Sequence, residues 1–455
     1  MNEQLSIYDI EYERFKITKP IRLIELFAGY GSQALALKYL KVPFEHWKIC
    51  EWAIKSIQAY KDIHFKNNDI DYSNGFYKQK LIEMLFELGI SSNYNEPMTK
   101  QQIERLSEQQ LRTIWNNIVA THNLVNIQQV KGKDLEIVDT DKYNYILTYS
   151  FPCQDLSLAG KGKGMSDTST RSGMLWEVER ILQECKDLEE LPQVLLMENV
   201  PQVHSQDNLA DFNKWKLRLE ELGYNNYFQD LIATDYGIPQ TRNRCFMVSI
   251  LGEYSYSFPK PIPLTIKLKD LLEENVDEKY YLSDAMLNYI QSRMPTGDNK
   301  ITTGINMGNK NTFEQAGTLT TRAGNRATDN YLIENDDYDY SKEKGKIIRI
   351  KNATAKGYLE ATDGDGIDIS SRMEHHRGTV QKGKAQTLTT MGGENNGVVV
   401  NDLRIRKLTP KECGRLMGVK DEDIDKIQLS DSAKYHIFGD SICTNVLMAI
   451  FKEML

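Results

Sequence analysis

No stretch of this 455-residue chain approaches the roughly 20 consecutive apolar residues that cross a bilayer, so no membrane span is expected. The opening residues, Met1-Asn2-Glu3-Gln4-Leu5, lack the basic and apolar regions of a secretory leader. Cysteine is scarce and scattered. The six residues, at positions 50, 153, 185, 245, 413 and 443, form no C-x-x-C pair and no other metal-type spacing. These features predict a reducing, cytoplasmic setting, without structural zinc or any other metal cofactor. Positive charge is not in excess either. Lys and Arg total 56 against 64 Asp and Glu, a net charge of -8, so any nucleic-acid surface must be local. The length suffices for two or three domains with a sizeable core.

What is present begins with a short apolar strand, Ile21 to Phe27, running into Ala28-Gly29-Tyr30-Gly31-Ser32 and then a helical pattern from Gln33 to Leu40. Strand, glycine turn and helix form the ligand-binding unit of doubly wound sheets. The glycines permit close approach to the backbone, and a helix N-terminus favours a carboxylate or phosphate. The spacing is Gly-x-Gly, without the third glycine of a dinucleotide site, and a plain tight turn is the alternative. The next strand, His46 to Cys50, ends at Glu51-Trp52, where an acidic residue can accept from ribose hydroxyls. Residues 54–124 are mainly polar and helical. Lys78 to Leu88 and Lys100 to Val119 carry helix-spaced apolar residues. This reads as an insertion without assignable chemistry, followed by Asn123-Leu124-Val125-Asn126-Ile127 leading back to the sheet.

A buried strand, Tyr145-Ile146-Leu147, then breaks at Pro152 and delivers Cys153 into a loop, 159–172, rich in Gly, Lys and Ser. A cysteine past a strand end beside a basic loop is placed as a nucleophile; an inert buried thiol is the plain alternative. Met174 to Leu182 is helical. Gln193 to Met197 is another buried strand, ending Glu198-Asn199-Val200-Pro201 with a carboxylate on the ligand side of a parallel sheet. Trp215 to Leu222 is a helix. Gln240-Thr241-Arg242-Asn243-Arg244 then opens a strand, Cys245 to Leu251, and its two arginines at i and i+2 are expected to point the same way.

The glycine turn with Glu51, then Pro-Cys-Gln, Glu-Asn-Val and Gln-x-Arg-x-Arg stand at successive strand ends. In this order the chain resembles the DNA cytosine-5 methyltransferase family. The likeness continues in Arg406 to Gly418 and in Phe438-Gly439-Asp440-Ser441-Ile442-Cys443-Thr444-Asn445-Val446, and it covers residues 21–52 and 123–455.

The resemblance implies Cys153 as the nucleophile at cytosine carbon 6 and Glu198 as the group on ring nitrogen 3 and the exocyclic amine. It implies Arg244 on the carbonyl oxygen at position 2, with Arg242 supporting the site or a phosphate. The implied donor is S-adenosyl-L-methionine. Phe27, Gly29 and Gly31 would line its methionine end, Glu51 its ribose and Trp52 its adenine, with Pro152, Ile127 and Leu175 at further contacting positions. Two residues depart from the family pattern. Asn126 stands where an aspartate is usual for the adenine amine, with Asp134 as rival. Asp440 stands where asparagine is usual, followed by Ser441. A carboxylate there would repel the donor's own unless it faces the amino group. The target base must leave the duplex stack to react. Ser157 would touch its backbone, and Lys161, Lys163 and Arg171 would meet phosphates as the loop closes.

After residue 255 the composition changes, with prolines at 259, 261 and 263 and frequent Gly, Thr and Asn. Two segments share Leu-Thr-Thr followed by a glycine-rich turn, 316–326 and 385–396. In this family a small, mostly β target-recognition domain lies here, which makes Thr320, Arg322, Asn325, Thr389 and Asn395 candidate DNA contacts. The expected fold is α/β, a doubly wound S-adenosylmethionine-dependent methyltransferase sheet over 1–254 with the insertion at 54–124. The recognition domain and hinge would occupy 255–431, and a C-terminal segment, 432–455, would return to the catalytic domain. The expected partner is double-stranded DNA, with a separately encoded restriction endonuclease as the partner the family admits, and the enzyme should be a monomer. An RNA cytosine-5 methyltransferase and a non-catalytic DNA-binding relative are the two alternatives.

Overall fold

In a computed structural model of the chain, the residues described are 12–152, 172–281, 331–332, 348–354, 356–362, 365–368, 379–384, 396–398 and 406–455. Cys153, Ser157, Lys161, Lys163, Arg171, Thr320, Arg322, Asn325, Thr389 and Asn395 lie outside them. The chain forms two compact units. One comprises Met1–Leu231, Arg244–Lys260 and Leu447–Leu455; the other comprises Ile232–Asn243 and Pro261–Val446.

The first unit is built on strands β1 (Ile21–Leu26), β2 (Phe44–Cys50), β3 (Asn144–Tyr149), β4 (Val194–Asn199), β5 (Tyr224–Ile232) and β6 (Asn243–Leu251). They form one sheet in the order β2-β1-β3-β4-β6-β5. β1, β3 and β4 are buried at every position, as near-continuous apolar strands are when both faces of a sheet are covered. β1 pairs in parallel with β2 and β3, and β3 with β4. β6 runs antiparallel to β4. Register puts the four parallel strand ends at one edge: Leu26 faces Cys50 and Tyr149, and Tyr149 faces Met197. Because β6 is reversed, its first residues meet the last of β4, Cys245 opposite Asn199. The turns after β1, β2, β3 and β4 and the start of β6 therefore share an edge.

Helices α1 (Ser32–Tyr39), α6 (Leu175–Asp187) and α7 (Leu209–Glu221) join the strands. The core centres on Trp215, whose ring meets Tyr149 and Trp176 edge-on and whose indole N–H donates to Tyr149 Oη at 3.1 Å. The insertion contains α2 (Ile54–His64), α3 (Lys78–Leu88), α4 (Lys100–Glu104) and α5 (Glu108–Ala120), packed around a core that includes Ile57, Leu81, Leu85, Ile103 and Leu111. The single helix expected from Lys100 to Val119 is two helices. Ser107 starts the second by accepting from Gln110 N–H while the Gln110 side chain accepts from Ser107 N–H, a reciprocal cap that ends the first helix.

The described part of the second unit contains short strands and three whole α-helices. β8 (Ile348–Lys351) and β9 (Tyr358–Ala361) form an antiparallel pair, and β10 (Gly366–Asp368) lies between β11 (Val380–Gln381) and β12 (Asn396–Val398). β7 (Tyr331–Leu332) pairs with β13 (Arg406–Lys407). The helices are α8 (Pro410–Leu416), α9 (Asp421–Ile424) and α10 (Asp431–Gly439); a last helix, α11 (Thr444–Lys452), starts in this unit, and its residues from Leu447 on belong to the first. Among the described residues, no helix is long and apolar enough to cross a membrane.

Candidate active site

The turn after β1 is shaped by three positive φ angles, at Phe27 (58°), Gly29 (56°) and Gly31 (82°). Its two glycines have different reasons to be glycine. A Cβ on Gly29 would meet nothing within 4 Å, so the backbone there faces open space. A Cβ on Gly31 would lie 2.5 Å from His64 Nε2 and 2.6 Å from the Tyr60 ring, so close packing against α2 requires this glycine. Gly29 N–H donates to Glu51 Oε2 at 3.0 Å and Ala53 N–H to Glu51 Oε1 at 2.8 Å. The carboxylate is oriented by these backbone donors. Asn123 clamps the same residue from its other side. Its side chain accepts from Glu51 N–H at 3.0 Å and donates to Glu51 O at 2.9 Å. Nothing in the sequence marks this positioning residue beyond its place at the head of the Asn-Leu-Val-Asn-Ile run.

The N-terminus of α1, expected to favour a carboxylate or phosphate, already holds a carboxylate of the chain. Glu25, fully buried on β1, accepts from the backbone of Gln33 and from Ala34 N–H, the latter at 3.3 Å. Tyr60 Oη donates to its other oxygen at 2.6 Å and lies 2.9 Å from His46 Nδ1. Burial raises the Glu25 carboxyl to about 7, against the lowering effect of Tyr60 and the two amides. Burial, with smaller contributions from His122 and Lys38, lowers His46 to about 4.

The contributions of Glu25 and His46 to stability oppose each other. That of Glu25 is complete below its ordinary 4.5 and is lost as pH rises to about 7. That of His46 is complete above its ordinary 6.5 and is lost as pH falls to about 4. In Glu25→Gln the stability relative to wild type should therefore rise between pH 4.5 and 7. In His46→Gln it should fall between pH 4 and 6.5. Urea midpoints across that range check both, and parallel curves for wild type and variants would refute the assignment.

Around the expected adenine position, Asn126 is buried and its Oδ1 accepts from Gln128 N–H at 3.1 Å, a local turn bond. The rival, Asp134, caps its own 3-10 turn by accepting from Lys131 N–H at 2.9 Å. Ile127 and Leu175 are part of the main core, and Phe27 packs against it. Trp52 packs against the core of the insertion.

At the neighbouring strand ends, Asn199 Nδ2 donates to Phe151 O at 3.0 Å, and its Oδ1 accepts from Val200 N–H at 2.8 Å. The asparagine of Glu-Asn-Val thus fixes the chain just before Pro152, itself half-buried, and Cys153. Its neighbour Glu198 is buried, and Arg244 Nε lies 3.1 Å from Glu198 Oε1. This pair comes from 46 positions apart in sequence because β6 is antiparallel to β4.

The two arginines of Gln-x-Arg-x-Arg do not act as one fork. Arg242, in the second unit, is buried and donates through Nη1 to Gly439 O at 3.2 Å and through Nη2 to Ser441 O. Gln240 donates to Leu416 O at 2.6 Å. Gln240 thus holds the C-terminal end of α8, and Arg242 that of α10 and the turn after it. Ser441 is buried, and Asp440 is exposed at the end of α10.

The architecture is that of the S-adenosylmethionine-dependent methyltransferase sheet. A family model for C-5 cytosine-specific DNA methylases matches residues 85–455, and the chain belongs to that family. Type II methyltransferase M2.ScrFI of Lactococcus lactis subsp. cremoris is 31% identical over 442 residues, 95% of this chain and 99% of that protein. Orphan methyltransferase M.SssI of Spiroplasma monobiae is 29% identical over 447 residues, 96% and 98% of the two chains. Among solved structures, the S. pombe Dnmt2 methyltransferase is similar in fold, with a TM-score of 0.50 and 16% identity over 95% of this chain and 98% of that one.

Proposed function

We propose that this chain methylates carbon 5 of a cytosine flipped out of duplex DNA, with S-adenosylmethionine as donor. The observation that carries the reading is the Glu198–Arg244 pair, held 3.1 Å apart at the sheet edge where β3 leads to Cys153. Carbon 5 of cytosine is a poor nucleophile while the ring is aromatic. Addition of the Cys153 thiolate at carbon 6 breaks the aromaticity and places electron density on carbon 5. Glu198 accepts from the exocyclic amine and holds a proton at ring nitrogen 3, while Arg244 donates to the oxygen at position 2, so charge from the addition is met as it develops. Loss of the carbon-5 proton then expels the thiolate and restores the ring. S-adenosylmethionine, when bound, supplies an electrophilic methyl group. Gly29, open to approach, and Glu51, a carboxylate oriented by backbone N–H groups, fit its methionine end and ribose. Arg242 acts at a distance, as a positioning residue for the 439–441 turn. Sequence recognition is assigned to the second unit, through the two Leu-Thr-Thr segments.

Transfer of tritium from labelled S-adenosylmethionine to mixed-sequence duplex DNA tests this. Wild type should label DNA, and Cys153→Ala should label none. Label in total RNA but not in DNA would replace the DNA reading by an RNA one. Label in neither, with DNA still bound, would make the protein a non-catalytic binder. Bisulfite sequencing of labelled DNA would then give the recognition site.

A further inference from the structure

We propose that His204, Asp230 and Cys245 form a site for one thiophilic divalent cation of the zinc class. The three residues come from separate elements: the 3-10 turn Pro201–His204 after β4, strand β5, and the start of β6. Their donor atoms, one imidazole nitrogen, one carboxylate oxygen and one sulfur, all lie within 4.8 Å of one another. His204 Nε2 is 2.8 Å from Asp230 Oδ1.

The strands place these donors before any ion arrives. Cys245 is fixed opposite Asn199 in the β4–β6 ladder. Ala233 N–H donates to Arg242 O at 2.9 Å. Three residues back along β5 and three forward along β6, the same pairing sets Asp230 beside Cys245. The His204 ring is held by Phe212 and Phe228, with centroids 6.0 and 5.7 Å away. Cys245 is buried, whereas the side chains of His204 and Asp230 are 29% and 32% exposed, so the sulfur lies at the inner end and the other two donors face the entrance.

The donor set selects the ion. Imidazole with thiolate suits zinc, cobalt and nickel, whereas calcium and magnesium require oxygen shells. Bonds of about 2.0–2.3 Å in a tetrahedron put donor atoms roughly 3.3–3.8 Å apart, so His204 and Asp230, now 2.8 Å apart, would open slightly to admit the ion, and three protein ligands leave the fourth position for water. On binding, the Cys245 thiol proton passes to solvent. None of the three residues has a role in the proposed methyl transfer. No C-x-x-C or C-x-x-H spacing marks the site, because the ligands converge only through the turn and the β5–β6 pairing. A bound ion would tie that turn to both strands, one residue beyond Arg244.

Cobalt(II) alone, titrated into the full-length chain with the thiols kept reduced, reads the site directly. Wild type should bind one equivalent with a thiolate-to-cobalt charge-transfer band and the intense visible bands of four-coordinate cobalt, both removed by competing zinc. Cys245→Ser should lose the charge-transfer band. His204→Gln and Asp230→Asn, near-isosteric changes at solvent-accessible side chains, should each weaken binding about tenfold or more. Zinc should also raise the thermal midpoint of wild type and not of His204→Gln. Absence of the band in wild type, or its persistence unchanged in His204→Gln and Cys245→Ser, would overturn the proposal, the latter result placing the metal on another thiol.

Discussion

Glu198→Gln is expected to lower the rate of methyl transfer by about 10²- to 10⁴-fold, the range for loss of a positioned acid–base group. Glutamine keeps the shape of the side chain and an oxygen for Arg244 Nε, so the sheet edge should stay intact. Its amide can accept from the exocyclic amine and donate an N–H to ring nitrogen 3, but it has no acidic proton to transfer there. The loss should therefore fall on the chemical step, read in single turnovers at saturating DNA and donor, with DNA affinity little changed. Arg244→Ala should be comparably damaging because it removes the donor at the oxygen of position 2 and leaves the Glu198 carboxylate without the partner now 3.1 Å away. Groups in contact that meet one developing charge do not contribute independently. The double variant should be little slower than the worse single one. A Glu198→Gln enzyme within threefold of wild type would remove this residue from the chemistry.

Much of this site was legible in the sequence because its parts are local. Each candidate sits where an apolar run stops, and a strand end is readable from a few residues. The mutual placement was not legible. Nothing in Asn243-Arg244-Cys245 states that β6 runs against β4, yet that reversal brings Arg244 to Glu198. Strand β5 was missed because it lies at a sheet edge, where Asn225, Asn226, Gln229 and Asp230 interrupt the apolar residues and only two of its residues are buried. The supporting bonds were hidden by distance along the chain. Asn123 clamps Glu51 from 72 residues away, and Asn199 holds Phe151 from 48. Glu25 looked like an ordinary strand residue. Only the fold shows it beneath the first turn of α1, where it caps the helix from inside.

Glu412→Ala is expected to destabilise the second unit by about 3–5 kcal/mol, the cost of leaving one member of a buried ion pair behind. Arg406 and Glu412 are both fully buried, and the guanidinium meets the carboxylate twice, at 2.9 Å through each Nη. Glu412 also accepts from Thr409 N–H at 2.7 Å and from Glu273 N–H at 2.8 Å. Its own N–H completes the reciprocal cap with Thr409 Oγ1 that starts α8. Alanine would orphan a buried cation and two backbone donors at once. Replacing both partners by methionine removes the charge instead of stranding it, so the double variant should lose less than Glu412→Ala despite carrying two changes. Urea unfolding of wild type, Glu412→Ala and the double variant, followed by fluorescence, gives the comparison. A single-variant loss below about 1 kcal/mol would mean that water reaches Arg406 and that the pair is an ordinary surface bridge. Retained methyl transfer by Glu412→Ala, at temperatures where it remains folded, would place the pair in support of α8 rather than in the chemistry at Cys153.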